Sequence, residues 1–91
     1  MKISFRNNFT AIANAGEAAD VSQTADNLRM ETERMIRKMY PSATVTVRDV
    51  DEMRAKCDVL VIEGGEVVED EDTANAILDR YMEVEMTDCW V

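Results

Sequence analysis

The chain contains no histidine. That removes the commonest general base, the Ser–His and Cys–His nucleophile pairs, and most zinc and haem ligation. Cysteine is nearly as scarce, with two copies, Cys57 and Cys89. Two thiols without histidine or further cysteines do not complete a zinc site. Neither has the electropositive setting that makes a thiol reactive: Cys57 lies between Lys56 and Asp58, and Cys89 follows Asp88 in an acidic tail. Cys57 opens an apolar stretch and reads as a small buried hydrophobe. Aromatic residues make up 5% of the chain, too few for the sugar platforms of a glycosidase cleft. Of the three glycines, Gly64-Gly65 are adjacent, yet neither a Walker A nor a dinucleotide-binding fingerprint surrounds them. No run approaches the roughly 18–20 apolar residues that span a bilayer. Residues 1–9 hold Lys2, Arg6 and two asparagines and lack the apolar core of a secretory signal. We therefore expect a cytoplasmic protein with reduced thiols, without cofactor or metal, and without enzymatic activity.

What is present fits one small domain spanning residues 1–91. Its hydrophobic content of 46% is ordinary for a globular chain. Seven methionines read as flexible core filler. Lys2, Ser4 and Arg6 alternate with Ile3 and Phe5, which predicts a first strand. Asn7-Asn8 reads as a turn, and residues 9–13 as a second hairpin arm or the continuation of one bent strand. Residues 14–16 read as a loop. Asp20-Val21-Ser22-Gln23 resembles a capping box opening a helix. Val21, Ala25, Leu28, Thr32, Met35 and Met39, at steps of three and four, form its core stripe, widened by Ile36. Arg34, Arg37 and Lys38 suit the negative end of the helix dipole, and Tyr40-Pro41 ends it.

Residues 43–50 alternate again, with Val45 and Val47 on one side and Thr44, Thr46 and Arg48 on the other. Residues 49–56 read as a charged connection with one helical turn around Met53. The run Cys57-Asp58-Val59-Leu60-Val61-Ile62 predicts a central strand covered on much of both faces. Glu63-Gly64-Gly65-Glu66 is a turn of the primed type, with Val67-Val68 as a short return strand. Glu69-Asp70-Glu71-Asp72 precedes a second helix whose apolar face is Ala74, Ile77, Leu78 and Tyr81. Asp70 or Asp72 serves as its cap. Residues 82–91 fit either a last strand or a continued helix. The order β-α-β-β-α(-β) predicts an α+β fold of the ferredoxin-like, split βαβ plan. That plan is a small, mostly antiparallel sheet with two helices on one face.

Charge is the feature that points toward function. The net charge is −9, which argues against direct binding to nucleic acid or to an anionic membrane. Residues 1–48 carry seven basic and five acidic residues, a net of +2; residues 49–91 carry three basic and fourteen acidic, a net of −11. Asp49, Asp51, Glu52, Asp58, Glu63, Glu66, Glu69, Asp70, Glu71 and Asp72 fall within residues 49–72. All but Asp58 are candidate contacts for a basic partner, which would relieve their mutual repulsion and be steered toward them. Trp90 is a further candidate contact if exposed, and a core residue if it packs on the sheet. Size, acidity, absent histidine and the acidic stretch 49–72 resemble the small phage-encoded inhibitor proteins, notably anti-CRISPR proteins and other nucleic-acid mimics. The resemblance lies in class and composition rather than in an aligned motif, so no residue role is carried over. It implies a protein that blocks a basic channel or nucleic-acid-binding site of a host defence complex. The alternative expectation is a module that self-associates as a homodimer, through a sheet edge or the Trp90 tail.

Overall fold

The structure is a computed structural model that describes residues 1–16, 18–51 and 57–91, Cys57 by its backbone alone. The helical turn expected around Met53, the position of Glu52 and the side chain of Cys57 lie outside the described residues.

Among the described residues seven elements follow one another: β1 (Lys2–Asn7), α1 (Phe9–Ala15), α2 (Val21–Met39), β2 (Thr44–Asp49), β3 (Cys57–Glu63), β4 (Glu66–Val68) and α3 (Glu71–Val84). The fold is α+β. Its four-stranded sheet has the order β2-β1-β3-β4. β1 pairs with β3 and β3 with β4 antiparallel, whereas β1 pairs with β2 in parallel. The sheet is therefore mixed, with two of its three pairings antiparallel. In a split βαβ unit a third strand separates the two parallel ones. Here β1 and β2 are hydrogen-bonded neighbours, with Ile3 opposite Val45 and Phe5 opposite Val47, and the unit is not split.

The alternation in β1 works as read: Ile3 and Phe5 are fully buried, Lys2 is exposed, and Ser4 and Arg6 are half-buried. The residues after it differ from the expected hairpin arm, because they form helix α1. One carboxamide and one carboxylate cap its start. The Asn8 side chain accepts from the Ala11 N–H at 2.9 Å. Asp49, 40 residues away, accepts from the Phe9 N–H at 2.9 Å and from the Thr10 hydroxyl at 2.6 Å. With its first N–H groups satisfied, the segment turns Phe9 and Ala13, one helical turn apart, into the core.

In α2, Asp20 caps the Gln23 N–H at 3.0 Å. The Gln23 side chain bonds Asn27 instead of reaching back to the cap, so the capping box is half made. The buried stripe is Thr24, Ala25, Leu28, Thr32 and Ile36; Val21, Met35 and Met39 flank it, half-buried. Thr32 fits because its hydroxyl donates to the Leu28 carbonyl at 2.7 Å. Gly64 and Gly65 both have positive φ, 59° and 80°, as a primed two-residue turn requires, and the hairpin return is present as β4.

Asp70 caps α3, accepting from the Thr73 N–H at 3.0 Å and its hydroxyl at 2.7 Å. Residues 82–84 continue that helix, Glu85 caps its end, and no strand follows. The tail returns across the molecule: the Asp20 N–H donates to the Val91 carbonyl at 2.8 Å, and the Val91 N–H to the Thr24 hydroxyl at 3.1 Å.

All three helices contribute to one core with the inward residues of β1 and β2. At its centre Phe5, Phe9 and Tyr81 pack together, with ring centroids 6.2, 5.0 and 6.3 Å apart. Such pairs each add roughly 0.5–1.5 kcal/mol beyond simple burial. The opposite face of the sheet, bearing Ser4, Thr46, Leu60, Ile62 and Val67, has no covering layer among the described residues. β3 is thus internal to the sheet, as its apolar run predicts, yet Leu60 and Ile62 stay half-buried because, among the described residues, only one face carries helices.

Candidate functional site

The sheet order turns an asymmetry along the sequence into one in space. β2 and β1 come from the near-neutral first half and lie side by side. β3 and β4 come from the acidic second half and form the other side, with α3 following β4. Residues 57–79 contain no lysine or arginine. The β3–β4–α3 flank is therefore the negative side of the molecule.

The expected contact residues do not form one cluster. Asp49 and Asp51 lie beside the start of β3, since Asn7 is opposite both Asp49 and Cys57. Glu63 and Glu66 lie at its other end. The length of β3 lies between the two sets, six residue steps from Cys57 to Glu63, a span of about 20 Å. Asp49 is moreover occupied with the start of α1. The Asp51 backbone carbonyl accepts from the Asn8 side chain at 2.7 Å, while its carboxylate belongs to an exposed residue.

The second set is the more concentrated. Glu63 and Glu66 face each other across the hairpin, where opposed side chains stand about 4.5–5.5 Å apart and like charges repel. Glu69, Asp70, Glu71 and Asp72 follow within one turn of chain. Asp70 is held by its cap; the hydrogen bonds from Thr73, backbone first and hydroxyl second, lower its pKa from the ordinary aspartate value. Glu63, Glu66, Glu69, Glu71 and Asp72 are exposed, and among the described residues none has an ion-pair partner. The ion pairs that do form lie elsewhere, as in Arg34–Glu31 and Arg37–Glu33 along α2 and Arg80–Glu83 in α3.

Asp58 is used differently. It receives the Arg6 guanidinium in a two-point contact, Nε to Oδ1 at 2.9 Å and Nη2 to Oδ2, on the open face of the sheet. That hydrogen bond, reinforced by the opposite charge, raises the Arg6 pKa from its ordinary value. Trp90 is half-buried. Its Nε1 donates to the Glu85 carbonyl at 3.0 Å and its ring lies over Gly16, where an added Cβ would come within 2.5 Å of Cζ3. The indole fastens the tail to the end of α1.

Among the described residues no group of three histidine, cysteine or carboxylate side chains is arranged to hold a metal ion, and no helix is long and apolar enough to cross a membrane. No family model, curated protein or solved structure matches the chain. The residues that sequence reasoning missed are Asn8 and Arg6. A capping signal at Asn8 was present but hidden by its reading as a turn; the Arg6–Asp58 pair spans 52 residues and has no local signal.

Proposed function

We propose that the protein is a non-enzymatic, cytoplasmic binding protein. Its acidic β3–β4–α3 flank docks on a basic, nucleic-acid-binding site of another protein and blocks it, in the manner of an inhibitor of a host defence complex. The observation that carries this reading is the set of five exposed carboxylates within residues 63–72, without cationic partners among the described residues, on the side of the fold that has no basic residue from 57 to 79. Left alone, these charges repel one another, most directly Glu63 and Glu66 across the hairpin. A basic surface removes that penalty, and long-range attraction brings it to this flank first. Asp49 and Trp90 take no part, since both are committed to the fold.

Capture from nuclease-treated bacterial lysate tests the proposal, with wild type set beside Glu63→Lys/Glu66→Lys/Glu69→Lys. A stoichiometric basic protein held by wild type, released at high salt and not held by the triple variant, is the expected result. Equal capture by both proteins would overturn the assignment of the flank.

A further inference from the structure

The two edges of the sheet are unlike. β4 has three residues, with Glu66 inside it and Glu69 to Asp72 after it, so charge and brevity protect that edge from pairing. β2 has six residues, Thr44-Val45-Thr46-Val47-Arg48-Asp49, and no charge before Arg48. Its ladder to β1 begins with the Thr44 N–H donating to the Met1 carbonyl and ends with the Val50 N–H donating to the Asn7 carbonyl, each at 3.0 Å. In a parallel ladder, alternate residues bond to the same neighbour. The even positions of β2 are therefore engaged with β1, and the backbone groups of Val45 and Val47 point away from the sheet. Among the described residues nothing pairs with them.

We infer that the β2 edge is a homodimer interface, in which two copies pair β2 with β2 antiparallel about a two-fold axis at Thr46. The strand itself selects the occupant: about Thr46 it is self-complementary, with valine against valine and threonine against arginine, and charge then selects this edge over the other. Two chains of −9 repel, and edge-to-edge contact at β2 keeps the acidic flanks farthest apart, at opposite ends of an eight-stranded sheet. Seven strand spacings put them about 34 Å apart, several times the roughly 8 Å Debye length at physiological salt.

The register is fixed by the pleat. A pairing that aligns the two cores must join residues of one face. Centred on Thr46, it sets Val45 against Val47 of the other copy and Thr44 against Arg48. No like charges oppose each other, and Asp49 stays outside the ladder and free to hold α1. The Val45–Val47 pairs are the hydrogen-bonded ones and would exchange about four backbone bonds. They also join the two cores, since Val45 and Val47 retain 7% and 8% exposure where Ile3 and Phe5 on the central strand have none. This inference is independent of the acidic flank, and salt separates the two: it screens repulsion between copies but weakens attraction to a basic partner.

Sedimentation across concentration, with hydrogen exchange on the same samples, tests it. Wild type should form a dimer that tightens with added salt. In it the Val45 and Val47 amides should exchange more slowly as concentration rises, while Thr44, Thr46 and Arg48 amides are protected throughout. Thr46→Lys and Thr46→Glu each place like charges on the axis and should weaken the dimer at least tenfold, and their equimolar mixture should restore it. A chain that stays monomeric to about millimolar concentration would overturn the inference. So would a dimer unaffected by Thr46→Lys, or one formed without slowing of the Val45 and Val47 amides.

Discussion

Removing the Asp49 side chain should unsettle an element that begins 40 residues earlier in the chain. Its carboxylate accepts from the Phe9 N–H at 2.9 Å, the Thr10 N–H at 3.4 Å and the Thr10 hydroxyl at 2.6 Å. The short bonds to Phe9 N and Thr10 Oγ1 set the magnitude. Asp49 is exposed, so Asp49→Ala leaves no cavity, and the loss is that of a helix cap, about 1–2 kcal/mol. For a domain this small each kcal/mol moves the melting point by about 4–8 °C, so a fall of about 4–16 °C is expected. The loss concentrates where Phe9 enters the aromatic cluster with Phe5 and Tyr81. Asp49→Asn, which keeps one acceptor, should lose less. Asp51→Ala is the control: among the described residues only its backbone carbonyl is used, and a surface deletion of this kind stays within about 0.5 kcal/mol. Thermal melts followed by circular dichroism read all three. A melting point for Asp49→Ala within about 1 °C of wild type, or equal falls for Asp49→Ala and Asp51→Ala, would refute the bridging role.

Other outcomes follow from the same contacts. Glu66→Lys exchanges a repulsive cross-strand pair with Glu63 for an attractive one, and should stabilise the fold by about 0.2–1 kcal/mol in urea melts while weakening partner capture; a loss of stability would contradict the pairing. The Asp70 cap is pH-dependent in a fixed direction: its folded pKa is lowered, so its contribution is present above the unfolded value and lost as pH falls through the folded one. The Thr73 amide shift should therefore titrate below the usual aspartate range, and a midpoint within that range would argue against the cap. Gly16→Ala would put a Cβ 2.5 Å from Cζ3 and 2.8 Å from Cη2 of Trp90. A destabilisation of about 1–3 kcal/mol and red-shifted tryptophan emission are expected, whereas unchanged emission would mean the tail packs elsewhere.

The elements with local signals were legible in the sequence. Asp20 and the three-and-four spacing marked α2, alternation marked β1 and β2, and Gly64-Gly65 marked the hairpin. Residues 9–15 were not, because their helix depends on the distant Asp49 as well as on Asn8. The strand order was beyond reach as well. The pattern of elements is the same whether β3 inserts between β1 and β2 or lies on the far side of β1, as it does here. For the site, composition revealed the acidic half but not its division. Asp49, Asp58 and Asp70 look like Glu63 or Glu69 in sequence, and only their partners Thr10, Arg6 and Thr73 show them to be structural. Trp90 likewise needed the position of Gly16.

Competition for the captured partner tests the central proposal most directly. Labelled nucleic acid bound to that partner is followed by fluorescence anisotropy while this protein is added. Release of the nucleic acid at one equivalent, lost with Glu63→Lys/Glu66→Lys/Glu69→Lys, is the expected result. A ternary complex in which nucleic acid and protein are bound together would show that the acidic flank does not occupy the nucleic-acid site.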